Sequence, residues 1–271
     1  MRKFERDYAI LIEEILEHGV DKDCRNGMTR GLFGKSLVID DIENHFPIIQ
    51  GRQMFTKGVL GEFAALVRQP KCVEDFEKWG CNYWKLWAEE DGSLNVDYGN
   101  EWFKHGQIEH LKECLRNNPN DRRMVINSWR PENLKDLSLP CCHYNYQFYG
   151  AEGTLSMIWT QRSVDMLIGL PSDIILAATW LITLANEFGY KVGEIKMDLG
   201  DCHVYHEHLT GARQYVDNVR MNHLGLHPKN WRYPTYYLAS IEGTPFEQFE
   251  PKDLIISLHP NMGKLDFELK A

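Results

Sequence analysis

The chain has 271 residues, of which 43% are hydrophobic, and its formal net charge is −9. A chain of this length and composition can bury a large core, as one large domain or two small ones. The acidic balance disfavours nucleic acid polymers and anionic membrane surfaces as partners, although a few local arginines suffice for a small phosphorylated substrate.

The cysteines and the N-terminal residues indicate the compartment. The seven cysteines are odd in number and scattered, and the first residues lead straight into an amphipathic pattern without a signal peptide. We therefore expect a reduced, cytoplasmic protein without structural disulfides. No apolar run approaches the roughly 20 residues of a membrane span, so we expect a soluble protein without a membrane partner.

The predicted elements begin with an amphipathic helix, because apolar residues recur at helical spacing from residue 4 to residue 16 and Gly19 follows. A glycine-rich loop over residues 24–34 carries Arg25 and Arg30. Such a loop can wrap a phosphate, although an arginine in a turn is more often solvated. A strand over residues 36–42, an entry into the core over 45–49 and helices over 59–67 and 72–79 follow.

The predicted helix over residues 59–67 is apolar nearly all round and should be buried. Glu62 lies inside it, and its carboxylate must be paired, protonated or functional because a bare buried charge is costly. Aromatic residues cluster soon after, from Tyr83 to Trp87. Such clusters usually belong to a core, but the glycine and polar residues among them also suit a wall on which a ring stacks.

The rest of the chain alternates between strand and helix patterns, with no repeat, low-complexity segment or linker. One α+β domain over residues 1–271, built around a mostly buried sheet, is therefore the predicted fold. The pattern predicts helices over residues 108–116 and beyond 173, and strands over 124–129, from 142 onward, and over 154–159, 194–199, 236–241 and 253–258.

Residues 140–143 place a proline, two thiols and an imidazole in a row. The segment after them alternates, which predicts a strand with Tyr144, Tyr146 and Phe148 on one face. A thiol at the mouth of a strand beside a histidine can be a nucleophile, because the thiolate is the reactive form and neighbours control its pKa. Taken alone, such a run more often contains buried, inert cysteines.

Three histidines near residue 205 resemble metal ligands. His203, His206 and His208 follow an aspartate and a cysteine, a set that can be taken for a metal site. Alternation along an extended segment puts His203 opposite His206, and no second ligand cluster has convincing spacing. We therefore expect no metal.

The motifs become specific when they are taken in order. They are Arg-Asn-Gly, Phe-Pro, a buried Glu, Trp-x-x-Trp, Tyr-Gly, Asp-Arg-Arg, Pro-Cys-Cys-His, Gln-Arg-Ser-x-Asp, Gly-Leu-Pro-x-Asp and Gly-Asp-x-His-x-Tyr. This series resembles the thymidylate synthase and deoxycytidylate hydroxymethylase family from about residue 2 to 240, most specifically over 121–205. The resemblance implies an obligate homodimer with large curved mixed sheets packed back to back and an active site shared between subunits.

The resemblance also implies roles for single residues. Cys142 matches the nucleophile, Cys141 matches no catalytic position, and Glu62 matches a general acid/base that works through water. Several planar cations suit a dianionic phosphate and lower the pKa of a nearby thiol. The implied phosphate ligands are Arg25, Arg162, Ser163 and, from the partner subunit, Arg122 and Arg123; the base and sugar contacts are Gln161, Asp173, His203 and Tyr205; the reduced-folate contacts are Trp84, Asp165, Gly169 and Leu170.

The implied reaction is a one-carbon transfer from the co-substrate 5,10-methylenetetrahydrofolate to a pyrimidine nucleoside monophosphate. The Cys142 thiolate adds to C6 of the base, and C5 then attacks the methylene group. Loss of the C5 proton and of tetrahydrofolate leaves an exocyclic methylene. Hydride from the folate converts it to a methyl group, whereas water converts it to a hydroxymethyl group.

Asp173 stands where thymidylate synthases carry an asparagine that reads uracil. An amide matches O4 and N3–H of uracil, whereas a carboxylate can accept from N4–H₂ of cytosine and share a proton with N3. The helix N-terminus after Pro171 favours the anionic form of Asp173. A protonated Asp173 can also serve uracil, and Asp173 or Ser172 alone can simply cap the helix. We favour dCMP, with CMP as an alternative because Ser172 replaces a larger residue.

Two further departures bear on the product. Residues 50–52, Gln-Gly-Arg, replace Thr-Thr-Lys and leave the folate-tail contacts open. The polar ending over residues 266–271 favours access of water and hydroxymethylation, whereas the retained Trp84 favours hydride transfer. The leading hypothesis is a dCMP 5-hydroxymethylase of the kind that viruses use to make a modified DNA precursor, acting in the host cytoplasm if it is viral.

The alternatives are a dCMP 5-methyltransferase, a thymidylate synthase that converts dUMP to dTMP, and a CMP 5-hydroxymethylase. A non-enzymatic nucleotide- or RNA-binding relative is disfavoured, because binding alone does not require the nucleophile Cys142.

Overall fold

A six-stranded mixed sheet, flanked by helices, organises the protein in the computed structural model, which describes residues 2–228 and 231–270. The strands are β1 Val20–Cys24, β2 Gly27–Ile39, β3 Val125–Asn127, β4 His143–Ala151, β5 Thr154–Asp165, β6 Lys191–Tyr205, β7 Tyr236–Leu238 and β8 Leu254–Ile256. The helices are α1 Lys3–His18, α2 Thr56–Leu66, α3 Val73–Glu77, α4 Tyr98–Trp102, α5 Gln107–Asn117, α6 Gly169–Phe188 and α7 Leu209–His223.

The large sheet has the order β1-β2-β6-β5-β4-β3, and β7 pairs with β8 in a small second sheet. Only the β5–β6 pair in the large sheet is parallel, and α6 forms the crossover that a parallel pair requires. Alternate residues of β5, from Leu155 to Gln161, are buried, as expected for a sheet with one face on the core. This mixed sheet flanked by helices confirms the predicted α+β fold class.

Helix α6 runs through the core. It begins at Gly169 and ends at Phe188, where Gly189 adopts the left-handed conformation common after a helix. By length and composition it is apolar enough to cross a membrane, contrary to the expectation that no apolar run approaches that length. Because 78% of its apolar stretch is buried within the fold, it is accounted for as a core helix.

The prediction of a glycine-rich loop over residues 24–34 is wrong, because this segment forms a β-hairpin. Cys24 pairs with Gly27 across a two-residue turn, and β2 continues from there for 13 residues. A side chain at Gly31 would have its Cβ 2.7 Å from the carbonyl oxygen of Cys202 on β6. That glycine therefore serves the close approach of two strands rather than loop flexibility.

The prediction that Tyr144, Tyr146 and Phe148 share one face of β4 is also wrong in part. The pairing with β5 shifts between His143 and Asn145, where a β-bulge leaves Tyr144 without a partner. The bulge puts His143 on the buried face with Tyr146 and Phe148, and Tyr144 packs on Trp129 instead. The imidazole next to Cys142 is thereby directed into the core.

Most other predicted elements are confirmed, with shifted ends. The helix expected over residues 59–67 begins at Thr56. The strands expected over 154–159 and 194–199 extend to Asp165 and Tyr205, and these extensions carry the candidate site residues.

Candidate active site

A cavity of about 1320 Å³ opens where the ends of β5 and β6 meet the start of α6, helix α2 and the C-terminal segment. Gln161 and Leu170 are buried behind its wall, and Arg122 and Arg123 lie outside it. The structure brings eleven of the fifteen predicted residues to the wall of this cavity: Arg25, Glu62, Trp84, Cys142, Arg162, Ser163, Asp165, Gly169, Asp173, His203 and Tyr205.

Cys142 is fixed by its backbone at the mouth of β4. Its N–H donates to the Tyr98 hydroxyl at 2.9 Å, and its carbonyl accepts the N–H of Arg162 at 2.8 Å. Burial raises the pKa of the Cys142 thiol, and the Arg162 charge acts against that rise. The expected lowering of this pKa by arginines is therefore outweighed, and the thiol of the free protein is held in its protonated form.

Cys141 differs from Cys142 because it does not line the cavity. It is 1% exposed, its Sγ is directed at the Ser128 carbonyl 3.7 Å away, and burial raises its pKa to about 12. An apolar, buried thiol of this kind is inert.

His143 is a neutral ring wedged between aromatic residues. Burial lowers its pKa to about 3. Its Nδ1 lies 2.7 Å from the Tyr146 hydroxyl oxygen, which is also 3.1 Å from the His143 carbonyl oxygen. Its Nε2 is 3.8 Å from Oδ1 of Asp173, which is too long for a hydrogen bond, and the neutral ring forms no ion pair.

Asp173 faces the cavity from the second turn of α6. Gln161 Nε2 donates to its Oδ2 at 2.6 Å. Burial raises the pKa of Asp173 well above its ordinary range, the charge of Glu62 adds to the rise, and the Gln161 hydrogen bond opposes it. Burial and the charge of Glu62 therefore favour the neutral acid, and they act against the preference for the anion that the helix N-terminus is expected to give.

The alternative that Asp173 or Ser172 caps α6 is wrong. The helix begins at Gly169, so both residues lie inside it. The N-cap residue is Ile168, and no side chain caps the helix. Asp165 instead orders the turn before the helix, where its Oδ1 accepts the N–H groups of Leu167 and Ile168. The Ser172 hydroxyl donates back to the Ile168 carbonyl at 3.0 Å.

Glu62 is paired with two neutral donors. The Tyr83 hydroxyl donates to Oε2 at 2.6 Å and Trp84 Nε1 donates to Oε1 at 2.8 Å. Burial raises the pKa of Glu62, and these two hydrogen bonds lower it. Trp84 is itself held by stacking on Phe76, with ring centroids 4.8 Å apart, and Trp87 continues the aromatic wall that the sequence indicates.

The predicted phosphate ligands fall into two groups. Arg162 is anchored behind the nucleophile, with Nε donating to the Cys141 carbonyl at 2.9 Å, while Arg25 projects from the β1–β2 turn. Arg122 and Arg123 are exposed after α5, and Arg123 donates through two guanidinium nitrogens to Asp121. Within one subunit they do not reach the cavity.

Strand β6 forms the end of the cavity that carries the predicted sugar contacts, His203 and Tyr205. His203 has Nδ1 3.2 Å from the Asp201 carbonyl, and Tyr205 packs edge-on against it. The other two histidines of the supposed metal set face different partners, because His206 lies 3.0 Å from Asp21 and His208 is buried against Phe267. These histidines do not converge on one point.

A different set of metal-ligand types does converge. In the described part of the chain, potential ligand atoms of His110, Cys114 and Asp121 lie within 4.8 Å of one another. The carboxylate of Asp121 already accepts the backbone N–H and two guanidinium nitrogens of Arg123. Its lone pairs are therefore engaged, and this cluster lies outside the cavity.

Several residues of the cavity wall were not predicted from the sequence. Tyr83 and Tyr98 contact the predicted acid/base and nucleophile, and only the aromatic cluster and the Tyr-Gly motif hinted at them. The C-terminal segment lines the cavity with apolar side chains, Leu265, Phe267 and Leu269, as well as with charged ones. The Phe267 ring lies 5.4 Å from the guanidinium carbon of Arg52.

Comparisons with known proteins agree with this arrangement. A family model described as thymidylate synthase matches residues 6–267. Among solved structures, the chain is similar to the thermostable thymidylate synthase A from Bacillus subtilis, with 23% identity and a TM-score of 0.86. The match covers 99% of this chain and 99% of that chain, and it shows that the fold is shared.

Proposed function

The chain belongs to the thymidylate synthase family, and we propose that it converts dCMP, 5,10-methylenetetrahydrofolate and water to 5-hydroxymethyl-dCMP and tetrahydrofolate. The family consists of one-carbon transferases that act at C5 of a pyrimidine nucleoside monophosphate. The cavity is large enough for a nucleotide and a reduced folate side by side, and its aromatic wall at Trp84 and Trp87 suits a stacked ring.

The observation that supports the choice of cytosine is the buried carboxyl group of Asp173, whose raised pKa favours the neutral acid. Because Gln161 donates to Oδ2, we place the proton on the other oxygen, toward the cavity. Cytosine N3 is basic and takes that proton, while the carboxylate accepts from N4–H₂. The result is two charge-assisted hydrogen bonds. Uracil O4 is not basic and accepts the same proton only as an ordinary hydrogen bond.

The proposed reaction requires a nucleophile for C6, an acid for N3 and a base for the C5 proton. Cys142 supplies the thiolate that adds to C6, and protonation at N3 by Asp173 makes C6 more electrophilic. Arg162 lowers the pKa of the thiol against the effect of burial. Glu62 faces the same cavity as a carboxylate held by two donors and is placed to accept the C5 proton through water.

The choice of water over hydride rests on the C-terminal segment. Lys264, Asp266 and Lys270 line the cavity beside the apolar residues of this segment, and Lys270 forms ion pairs with Glu207 and Glu268. Charged side chains retain water, which supports transfer of a hydroxyl group to the methylene. The buried Trp84 supports methyl transfer as the second candidate, because its ring shields that side of the cavity.

We also propose that the active form is a homodimer. Arg122 and Arg123 are exposed and directed away from the cavity of their own subunit. The outer side of the sheet near them carries Val125 and Tyr149, which are 37% and 66% exposed. A second copy packed there would cover these side chains and supply the two arginines to the opposite site. The cytoplasmic location stays a prediction from the sequence.

The test is incubation of the purified protein with methylenetetrahydrofolate and, separately, dCMP, CMP or dUMP. Mass spectrometry of the nucleotide distinguishes a hydroxymethyl from a methyl product. We expect 5-hydroxymethyl-dCMP as the main product. Formation of dTMP from dUMP, with no reaction of either cytidine nucleotide, would overturn the proposal.

A further inference from the structure

Tyr83 has no counterpart among the residues to which the family resemblance gives a role, yet it makes one of the two hydrogen bonds of Glu62. Tyr83 and Trp84 are consecutive and open the 3₁₀ turn Trp84–Trp87. Their donors lie 2.6 and 2.8 Å from the two oxygens of the same carboxylate. One short backbone segment therefore fixes both oxygens of Glu62 at once.

The Tyr83 hydroxyl can act only as a donor to Glu62. Burial and the charge of Glu62 raise the pKa of Tyr83 well above its ordinary range, so the hydroxyl keeps its proton. A phenylalanine ring would fill nearly the same space without the cost of burying a polar group. The hydroxyl is thus explained by its bond to the carboxylate rather than by packing.

Glu62 and Asp173 face one cavity but have unequal surroundings. Glu62 receives two hydrogen bonds, whereas Asp173 receives one, from Gln161. Hydrogen bonds to the anion favour ionisation, and burial without them favours the neutral acid. The charge of Glu62 further disfavours a second charge on Asp173.

We propose that Tyr83 is a positioning residue that, together with Trp84, fixes Glu62 and favours its proton-accepting carboxylate form against the effect of burial, while Asp173 has a single donor. This inference rests on the proposed function for its purpose. The reaction needs a base for the C5 proton and an acid for N3 at the same pH, and two identical carboxyl environments cannot supply both.

The other titratable groups near the pair do not replace this role. The Cys81 thiol feels the charge of Glu62 but is fully buried, and burial raises its pKa. Near Asp173, the His143 imidazole is neutral, and the Asp165 carboxylate adds negative charge that also favours the neutral acid. The Cys142 thiol likewise stands beside Asp173 without hydrogen-bonding to Glu62.

The test follows the two carboxyl groups directly. Carboxyl carbons of ¹³C-labelled glutamate and aspartate are titrated by NMR in the nucleotide-free protein, with Glu62→Gln and Asp173→Asn to assign the signals. In Tyr83→Phe, we expect the Glu62 midpoint to rise by roughly 1–2 pH units, which is the effect of losing one hydrogen bond to a charge. The Asp173 midpoint should fall, because its neighbour is neutral over more of the pH range.

Two further variants separate the effect of the Tyr83 hydroxyl from other effects of substitution. Tyr237→Phe makes the same chemical change at a 63% exposed tyrosine on β7 and should move neither midpoint. Trp84→Phe removes the other donor and should also raise the Glu62 midpoint. Unchanged midpoints in Tyr83→Phe, or a rise with Trp84→Phe alone, would overturn the role of Tyr83.

Activity gives an independent measurement. In Tyr83→Phe, the pH range over which kcat/KM for dCMP is high should narrow from both sides. Glu62 should already be protonated, and unable to accept a proton, at a higher pH than in the wild type, and Asp173 should lose its proton at a lower pH. A purely structural role would lower the whole profile without moving its limbs. If the wild-type protein does not act on dCMP, the proposed function fails, while the nucleotide-free titration still decides the role of Tyr83.

Discussion

Replacing Asp173 by asparagine changes the hydrogen-bonding edge that the protein shows to the base. Gln161 Nε2 donates to Oδ2 of Asp173 at 2.6 Å, and two NH₂ groups cannot bond to each other. With Gln161 kept in this orientation, the oxygen of the new amide faces Gln161 and its NH₂ group faces the cavity. This group is a permanent donor at the place where the acid shared its proton with N3.

The magnitude follows from the contacts that cytosine would lose. N4–H₂ of cytosine would meet another donor, and N3 would lose the proton. Each buried polar group left unpaired costs about 1–3 kcal/mol, so two cost about 2–6 kcal/mol. We expect kcat/KM for dCMP to fall by on the order of 10²- to 10⁴-fold, while dUMP turnover rises from near zero because O4 meets the new donor.

The assay is the ratio of kcat/KM for dCMP and dUMP, measured side by side in the wild type and in Asp173→Asn. The substitution conserves volume, so a loss confined to dCMP reports base recognition rather than damage to the cavity. An Asp173→Asn enzyme that kept its preference for dCMP would refute the assignment of base reading to Asp173.

Three further predictions concern the nucleophile, the dimer and stability. Cys142→Ala should abolish turnover and retain nucleotide binding by calorimetry, whereas Cys141→Ala should retain turnover; an inactive Cys141→Ala enzyme would contradict the assignment. Mixing inactive Arg123→Ala and Cys142→Ala subunits should restore activity in hybrid dimers, and no recovery after verified subunit exchange would refute the shared site. The pKa of Asp173 is raised in the fold, so stability falls as pH rises from its ordinary pKa of 3.8 through the raised value. Asp173→Asn should therefore gain thermal stability over wild type increasingly as the pH rises above 3.8, and a pH-independent difference would count against a raised pKa of Asp173.

The sequence predicted those features that depend on local pattern. The buried helix around Glu62, the long core helix α6 and the contrast between Cys141 and Cys142 all follow from periodicity or motif position. The bulge at Tyr144 could not be predicted, because it depends on how β4 pairs with a strand that the pattern does not align.

The raised pKa of Asp173 could not be predicted from the sequence for a similar reason. Its pKa is set by burial and by the charge of Glu62, which lies more than a hundred positions away in the chain. The pairing of Tyr83 with Glu62 likewise joins two segments that the sequence presents separately. Motifs indicated which residues meet in the cavity, but the protonation state of each group depends on the contacts made after folding.

The parallel pairing of β5 with β6 bears on how this protein can diverge. Gln161, Ser163 and Asp165 stand opposite Leu199, Asp201 and His203, so one strand register aligns the proposed contacts of the base, the phosphate and the sugar. A slip of one residue would move every contact by roughly 3.3 Å and turn each side chain to the other face. Insertions and deletions in these strands would therefore disrupt the whole site. Position 173 lies on a helix beside the strands, so a substitution at this proposed base contact leaves their register intact.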